Sequence, residues 1–198
     1  MWAGQCKDLF TVRGSTHSKK IHEVLFRAEV LDALKRYKGA SNIHSVGYDT
    51  INSYLRNTLK GALSREQIQQ VKAIVSILDR VFEDLPPLAA PIVVFRSELI
   101  GGREQRQGEI IEFSSFTSTS REREVVEIFP IRDANQPFRI YTILLRAEDR
   151  AIDFKNLGTV GNYKFDSESE VLLPRKMKFK IISSQRIGNI EYQTLVPQ

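Results

Sequence analysis

Apolar residues recur at helical spacing through the first 85 residues of the chain. Ser18 is a candidate N-cap for one long helix whose apolar positions 21, 24, 25, 28, 31 and 34 share a face. A second helix is predicted to begin near Tyr48. A third opens with Ser64 and Gln67 in capping-box positions and ends at the proline pair 86–87. The pattern therefore predicts a helical N-terminal part.

Beyond residue 91 the pattern changes to short runs that are typical of strands. Residues 92–95 are wholly apolar, as in a buried strand, and residues 138–145 form a longer strand candidate. The last two strands are predicted to meet at Gly188-Asn189 as a hairpin. The remaining predicted elements are strands at 109–113, near 168–173, 177–183 and 190–196, and a short helix at 121–129.

Helices first and strands second is the order of an α+β fold. Each half alone would make a marginal domain. We therefore predict a single domain over residues 1–198, in which the helical part (1–90) packs on a mainly antiparallel sheet formed by the strand-rich part (91–198).

The composition is that of a soluble globular protein. The chain has 198 residues, of which 41% are hydrophobic and 27% charged. No run approaches the roughly 20 apolar residues that span a bilayer, and the first residues lack the pattern of a secretory signal. Cys6 is the only cysteine, which excludes an intrachain disulfide. The three histidines form no ligand motif, so no metal is expected.

The net charge of +5 is spread thinly along the chain. Residues 1–90 carry 13 Lys and Arg against 9 Asp and Glu, and residues 91–198 carry 16 against 15. A basic protein favours anionic ligands. However, no run of basic residues with interleaved aromatics predicts a nucleic-acid groove. We expect neither a nucleic acid nor a membrane as partner.

Two glutamates stand two positions apart at the start of an apolar strand, in the segment FDSESEVLLPR. Strand side chains alternate faces, so Glu168 and Glu170 are predicted to share a face at roughly 6–7 Å. Paired carboxylates serve sugar-transfer chemistry. Charges that protect an edge strand from aggregation would show the same pattern.

Three short motifs occur in order in the strand-rich part: Phe95-Arg96, then the segment FTSTS over 116–120, then Glu168-Ser169-Glu170. In this order the chain resembles the mono-ADP-ribosyltransferases of the arginine–serine–glutamate class, which includes bacterial toxins and effectors, phage enzymes and vertebrate ecto-enzymes. The flanking segments GEIIEF and VLLPR also resemble the family, as does a helix over 48–56. The resemblance spans about 45–196 and implies a split β-sheet core.

The resemblance implies a catalytic role for Glu170, Ser118 and Arg96. Glu170 would stabilise the oxocarbenium-like cation that forms when the nicotinamide–ribose bond breaks. Arg96 would bind the pyrophosphate or a ribose. Ser118 would bond Glu170 and hold its rotamer. The alternatives are a surface carboxylate for Glu170, an ordinary salt bridge for Arg96 and a strand-end cap for Ser118.

The resemblance further implies NAD as substrate, with no metal. Besides Arg96 and Glu170, the implied NAD-binding residues are Ser118, Thr119 and Ser120 on one strand, and Tyr48, Asn52 and Arg56 on one face of a helix. The alternative for Ser120 is that it only supports the backbone geometry. The alternative for Tyr48, Asn52 and Arg56 is that they form a solvated polar face of a surface helix.

The resemblance implies that Glu168 and the loop 156–166 recognise the acceptor. A guanidinium is protonated at neutral pH, so its attack needs a carboxylate to orient it and accept a proton. Tyr163 and Phe165 are candidates for stacking on the target, and packing anchors are the alternative. Arg121 and Arg123 occupy positions of a phosphate-binding arginine, with i,i+4 pairing to glutamates as the simpler interpretation.

These features predict an NAD-dependent mono-ADP-ribosyltransferase that modifies a protein, at arginine, and releases nicotinamide. The alternatives are an NAD glycohydrolase on the same fold and a non-enzymatic basic binding module. The missing cysteine pair argues against the ecto-enzyme branch. The expected protein is therefore a secreted virulence effector or toxin that reaches a host cytosol without a classical signal peptide and modifies a host protein, or a cytoplasmic phage-encoded enzyme.

Overall fold

The structure is a computed structural model that describes residues 16–39, 46–59, 61–101, 104–132, 136–160, 163–165 and 169–198. The chain divides into two compact units, Met1–Ala89 and Ala90–Gln198. The first is helical and the second is rich in strands. The prediction of one domain over 1–198 stays a prediction. None of the described helices is long and apolar enough to cross a membrane.

The helical unit contains α1 (16–25), α2 (Ala28–Lys38), α3 (Tyr48–Leu55) and α4 (Arg65–Asp84) in its described part. The predicted start of α3 near Tyr48 and the capping box of α4 are confirmed. Ser64 Oγ accepts from the Gln67 amide at 3.1 Å, and Gln67 Oε1 accepts from the Ser64 amide at 3.0 Å. The apolar face of α4 is buried, with Val71 and Leu78 at its centre.

The prediction of one helix from Ser18 to residue 38 is wrong, because the helix breaks at residues 26–27. Arg27 is extended, with ψ 136°, and pairs with Asp84 of α4 at 2.8 Å. A continuous helix would carry the buried face of Leu25 on to Ala28, yet Ala28 is exposed and Val30 is buried instead. Neither Gly nor Pro marks this break, so periodicity alone could not reveal it.

The strand-rich unit holds one large sheet, one small sheet and one α-helix among its described residues. Its elements are β1 (Ile92–Leu99), β2 (Ile110–Phe113), β3 (Thr117–Ser120), α5 (Arg123–Arg132), β4 (Phe138–Leu145), β5 (Ile152–Asp153), a 3₁₀ turn (Phe154–Asn156), β6 (Thr159–Val160), β7 (Tyr163–Lys164), β8 (Glu170–Leu173), β9 (Met177–Ile187) and β10 (Ile190–Pro197). The α+β class and the mainly antiparallel sheet are confirmed.

The large sheet has the strand order β2-β9-β10-β4-β1-β3-β8-β5, and only the β10–β4 pair is parallel among its pairings. Strands β1 and β4 pair along eight residues, from Ile92–Leu145 to Leu99–Phe138. By contrast, β1 and β3 meet at a single pair, Phe95 and Ser120. We call this meeting line the seam, with β2, β9, β10, β4 and β1 as the long half-sheet and β3, β8 and β5 as the short half-sheet.

Several predicted strands differ from those observed. β1 continues to Leu99, so Arg96 lies in its middle and not at its end. Within the apolar run 92–95, Val94 is buried but Val93 is 44% exposed, so the run is not that of a fully buried strand. The predicted strand near 168 begins only at Glu170. The strand over 138–145 and the hairpin at Gly188 are confirmed.

Candidate active site

Arg96 and Ser118 face each other across the seam, where the two half-sheets stop pairing. Arg96 Nη1 donates a hydrogen bond to the carbonyl oxygen of Ser118 at 2.9 Å. In a continuous sheet this carbonyl would accept from a backbone amide of the neighbouring strand. Here the guanidinium of Arg96 is the donor instead. The seam consequently places the guanidinium beside the segment 117–120.

The hydroxyls of residues 118–120 on β3 have different surroundings. Thr119 is buried, and its hydroxyl donates to the carbonyl of Val171 on β8 at 2.6 Å. Ser120 is also buried, and its oxygen accepts from the amide of Glu122 at 3.0 Å, just before α5 begins. Ser118 is less buried than either. The contacts of Thr119 favour a structural role, and those of Ser120 favour the backbone-support alternative.

Glu170 is the first residue of β8 and lies opposite Ser120 on β3. It is buried, with 7% of its surface exposed. The alternative of an ordinary surface carboxylate is therefore wrong. In the described part of the chain, no hydrogen bond joins Ser118 to Glu170, and the predicted positioning of the carboxylate by Ser118 stays a prediction.

A cavity of about 170 Å³ lies at the seam and brings together Arg96, Ser118 and Glu170. Its walls thus carry a guanidinium, hydroxyls, a carboxylate and two apolar side chains, Val125 and Val126 of α5. The full lining is Arg96, Ser97, Ser118, Thr119, Ser120, Val125, Val126 and Glu170. Such a site can accept a partly apolar ring on one wall and a developing positive charge beside the carboxylate.

The backbone immediately before Glu170 departs from strand geometry. Ser169 has φ 47°, in the left-handed region that non-glycine residues seldom adopt. Its hydroxyl donates to Glu122 Oε1 at 2.5 Å, and its carbonyl accepts from the Arg121 amide at 3.0 Å. The predicted shared face of the two glutamates assumed strand geometry at residue 169, which Ser169 does not have. Glu168 itself lies outside the described residues.

Tyr163 is the first residue of β7, where it pairs with Val160 of β6, and Phe165 directly follows β7. Phe165 is fully buried, with its ring centroid 6.1 Å from Phe154 and 4.7 Å from Tyr163. This burial favours the packing alternative for Phe165 over stacking on an acceptor. Tyr163 is only half-buried, and its pKa is raised by burial and by the negative charge of Glu170. Tyr163 thus lies within electrostatic range of the carboxylate.

The predicted NAD-binding face of α3 is not uniformly solvated. Tyr48 is 48% exposed, and Arg56 caps the helix end with Nε 3.2 Å from the carbonyl of Asn52. Asn52 is buried and donates through Nδ2 to the hydroxyl oxygen of Tyr37 at 2.9 Å. Its Oδ1 has no hydrogen-bond partner among the described residues. A buried amide with a free acceptor fits ligand binding better than a solvated surface does.

The two arginines after β3 are engaged in ion pairs. Arg121 binds Asp153 of β5 through Nε and Nη2, at 3.0 and 2.6 Å. Arg123 binds Glu127 at 2.7 Å within α5. The i,i+4 interpretation is therefore confirmed for Arg123 but wrong for Arg121, whose partner comes from another strand.

Sequence reasoning missed part of the cavity wall. Val125 and Val126 were assigned only to a short helix, although their position directly after the FTSTS segment was a usable signal. Glu98 was also missed: it stands two residues after Arg96 on the same strand, and its carboxylate Oε2 lies 3.9 Å from Arg96 Nε. Alternation along β1 could have identified it.

Two further hollows border the described part of the helical unit. The helical unit has hollows of about 340 and 400 Å³, and Tyr54 borders both, but Tyr48, Asn52 and Arg56 border neither. In the described segments, no group of three or more His, Cys, Asp or Glu side chains is placed to hold a metal ion.

Two relatives share sequence over most of this chain. Vis of Vibrio splendidus (strain 12B01), named an NAD(+)–arginine ADP-ribosyltransferase, is 28% identical over 152 residues, which cover 74% of this chain and 57% of Vis. Mav of Mycobacterium avium (strain 104), which bears the same enzyme name, is 30% identical over 171 residues, which cover 86% of this chain and 18% of Mav. The chain therefore spans little more than half of Vis and less than a fifth of Mav.

Two bacterial ADP-ribosyltransferases of known structure share the fold. A crystal structure of Vis in complex with agmatine gives a TM-score of 0.68 at 16% identity, covering 93% of this chain and 85% of that one. The C3 exoenzyme of Clostridium limosum gives 0.62 at 16% identity, covering 96% and 94%. The family model of the ADP-ribosyltransferase exoenzymes matches residues 31–195. By this match, the chain belongs to the ADP-ribosyltransferase exoenzyme family.

Proposed function

We propose that this protein is an NAD-dependent mono-ADP-ribosyltransferase that transfers ADP-ribose to an arginine side chain of a protein. The observation that carries this proposal is the meeting of Arg96, Ser118 and Glu170 at one cavity on the seam. These three residues come from three different strands, and the family resemblance assigns them to one reaction. Their common cavity supports that assignment.

Glu170 acts at the bond that breaks. The bond between the ribose and the nicotinamide nitrogen cleaves, and its electron pair leaves with nicotinamide. The ribose then carries an oxocarbenium-like positive charge. A buried carboxylate stabilises such a charge more strongly than a solvated one, because less water screens the interaction. The burial of Glu170 fits this role.

Arg96 binds an anionic part of NAD. Its guanidinium is held on one edge by the Ser118 carbonyl and borders the cavity. A planar guanidinium suits phosphate oxygens. The cavity of about 170 Å³ is smaller than the roughly 300–1,000 Å³ of a typical ligand site, so it holds one end of the dinucleotide rather than all of it. The apolar wall of Val125 and Val126 fits the nicotinamide ring.

Tyr48, Asn52 and Arg56 are proposed to bind NAD as well. The unpartnered Oδ1 of the buried Asn52 supports this for Asn52. An acceptor in that position would pair with a hydroxyl or amide donor of the ligand.

The acceptor is proposed to be an arginine. Its guanidine nitrogen forms the new bond to the ribose, and the proton that it loses is accepted by a carboxylate, for which Glu168 is the candidate. Both relatives bear the name NAD(+)–arginine ADP-ribosyltransferase, and agmatine, which is bound in the Vis structure, carries a guanidinium. Tyr163, close to Glu170, is the proposed acceptor-recognition residue. A host protein as target, and delivery into a host cytosol, belong to the same proposal.

The proposal is tested by incubating the protein with labelled NAD and either agmatine or host-cell lysate. The wild type is expected to label both acceptors. Glu170→Gln is expected to lower label transfer and NAD consumption by about 10²–10³-fold, the usual loss when one charge-stabilising group is removed. Glu104→Gln is the matched control, because Glu104 is an exposed glutamate of the same unit, and it should leave both rates unchanged.

The outcomes separate the three candidate functions. Glu168→Gln is expected to impair transfer more than NAD hydrolysis, since water needs no guanidinium-orienting carboxylate. NAD consumption without label transfer to any acceptor would identify a glycohydrolase. A wild type that neither transfers label nor consumes NAD would contradict both enzymatic functions and leave the binding module.

A further inference from the structure

Charged and polar side chains cross the long half-sheet behind Arg96. In the register of the sheet, Arg139 on β4 lies between Glu98 on β1 and Glu191 on β10. Paired residues of neighbouring strands project to the same face, as do residues two apart on one strand. Glu98 therefore shares its face with both Arg96 and Arg139.

The carboxylate of Glu98 is held from several sides. Oε1 accepts from the Tyr141 hydroxyl at 2.7 Å and lies 3.7 Å from Arg139 Nη1. Oε2 lies 3.9 Å from Arg96 Nε. Tyr141 is fully buried, and both its burial and the charge of Glu98 raise its pKa, so it remains a hydroxyl donor at neutral pH.

Arg139 is itself fixed in place. Its side chain is 4% exposed, and Nε and Nη2 lie 2.8 and 2.7 Å from Glu191 Oε2. The other oxygen of Glu191 accepts from Gln193 at 2.9 Å and from Ser184 at 3.1 Å. Since these residues sit on long paired strands, the network gives Glu98 a rigid backing.

We propose that Glu98 is a positioning residue that orients the guanidinium of Arg96 toward the cavity. The Ser118 carbonyl holds Nη1 and the Glu98 carboxylate faces Nε, which leaves the Nη2 edge for an anion in the cavity. The inference rests on the proposed function for the identity of the ligand, NAD, whose anionic part is the pyrophosphate.

The carboxylate acts before the ligand arrives. A free arginine side chain samples many rotamers, and binding must then restrict it. By limiting these rotamers in advance, Glu98 strengthens NAD binding without taking part in bond cleavage. Its loss should therefore change the affinity for NAD and leave the rate of the chemical step almost unchanged.

A double-mutant cycle tests whether Glu98 acts through Arg96. Titration calorimetry measures the Kd of NAD for the wild type, Glu98→Ala, Arg96→Ala and the double variant. Glu98→Ala is expected to raise Kd about five- to tenfold in the wild-type background and less than about twofold in the Arg96→Ala background. The KM for NAD should follow Kd, with kcat within about twofold.

Two further variants separate orientation from packing. Glu98→Gln keeps the size of the side chain and an acceptor for Tyr141 but removes the charge, and it should retain most of the loss in affinity. Ser184→Ala deletes a bond at the far end of the same network and should bind NAD like the wild type. Full affinity in Glu98→Gln, or equal losses in both backgrounds of the cycle, would overturn the inference.

Failure of the proposed function would look different. A wild type that binds NAD without consuming it would contradict the transferase function, while the cycle on Kd would still decide the role of Glu98. Normal transfer together with an additive cycle would contradict the role of Glu98 alone. A wild type that does not bind NAD would contradict both.

Discussion

The two half-sheets that meet at the seam hold their functional residues by different means. In the long half-sheet, β1, β4 and β10 each run for eight residues, and Arg96 is backed by a side-chain network through Glu98 and Arg139. In the short half-sheet, β3 and β8 have four residues each and β5 has two. There the hydroxyls of Thr119 and Ser120 bond to backbone groups.

The difference indicates a division of labour between the two half-sheets. Long paired strands with a buried charge network suit a group that must keep one orientation, such as a guanidinium that binds an anion. Short strands between turns suit a carboxylate that must contact two substrates in succession. The adjoining loop can change its sequence or conformation without disturbing the sheet. Substitutions in the long half-sheet should therefore affect folding stability, and those around Glu170 should affect chemistry.

The largest expected effect is on stability, from Arg139→Met. This substitution leaves Glu191 largely buried without its cation, and loss of one partner of a buried pair costs about 3–5 kcal/mol. Urea denaturation measures the free energy of unfolding. Arg186→Ala is the matched control: Arg186 lies opposite Glu191 on β9 but is exposed, so its loss should cost less than about 0.5 kcal/mol. Equal costs for the two variants would show that the network does not stabilise the long half-sheet.

The second expected effect is at Glu170, where a substitution should change activity strongly and stability little. Glu170→Gln keeps the shape of the side chain, and we expect its free energy of unfolding to stay within about 1 kcal/mol of the wild type, since active-site groups rarely add stability. Its rate of NAD consumption should fall about 10²–10³-fold. Denaturation and steady-state kinetics on the same preparation give both values. A destabilised variant whose residual activity matches its folded fraction would assign Glu170 to the structure instead.

The smallest expected effect distinguishes two neighbours on β3. Thr119→Val removes the buried hydroxyl that bonds the Val171 carbonyl and should cost about 0.5–1.5 kcal/mol of unfolding free energy. Ser118→Ala, at the less buried position that borders the cavity, should cost less than about 0.5 kcal/mol. If the order of the two costs were reversed, the assignment of Thr119 to structure would be wrong.

Local patterns predicted much of the fold. The Ser64–Gln67 capping box, the start of α3 near Tyr48 and the hairpin at Gly188 all depend on neighbouring residues, and all three are observed. The break at residues 26–27 was missed because what accompanies it, the pairing of Arg27 with Asp84 and a shift of the buried face, depends on residues distant in sequence. These are tertiary facts that no window of sequence contains.

The candidate site was predictable where motif and position coincide, as for Arg96, Ser118 and Glu170. Alternation was not a sound basis for a shared face of Glu168 and Glu170, because Ser169 between them has a positive φ. The network behind Arg96 was equally hidden, since Glu98, Arg139 and Glu191 lie far apart in sequence and meet only through strand register.

The bond from Arg96 to the Ser118 carbonyl has a consequence for how this site can evolve. A carbonyl belongs to the main chain, so the contact survives any replacement of the Ser118 side chain that keeps β3 in place. The cavity therefore keeps this contact through any side-chain replacement that leaves the backbone of β3 in position. Side-chain substitutions that accumulate on β3 should therefore change the affinity for the ligand while the position of Arg96 at the cavity is kept.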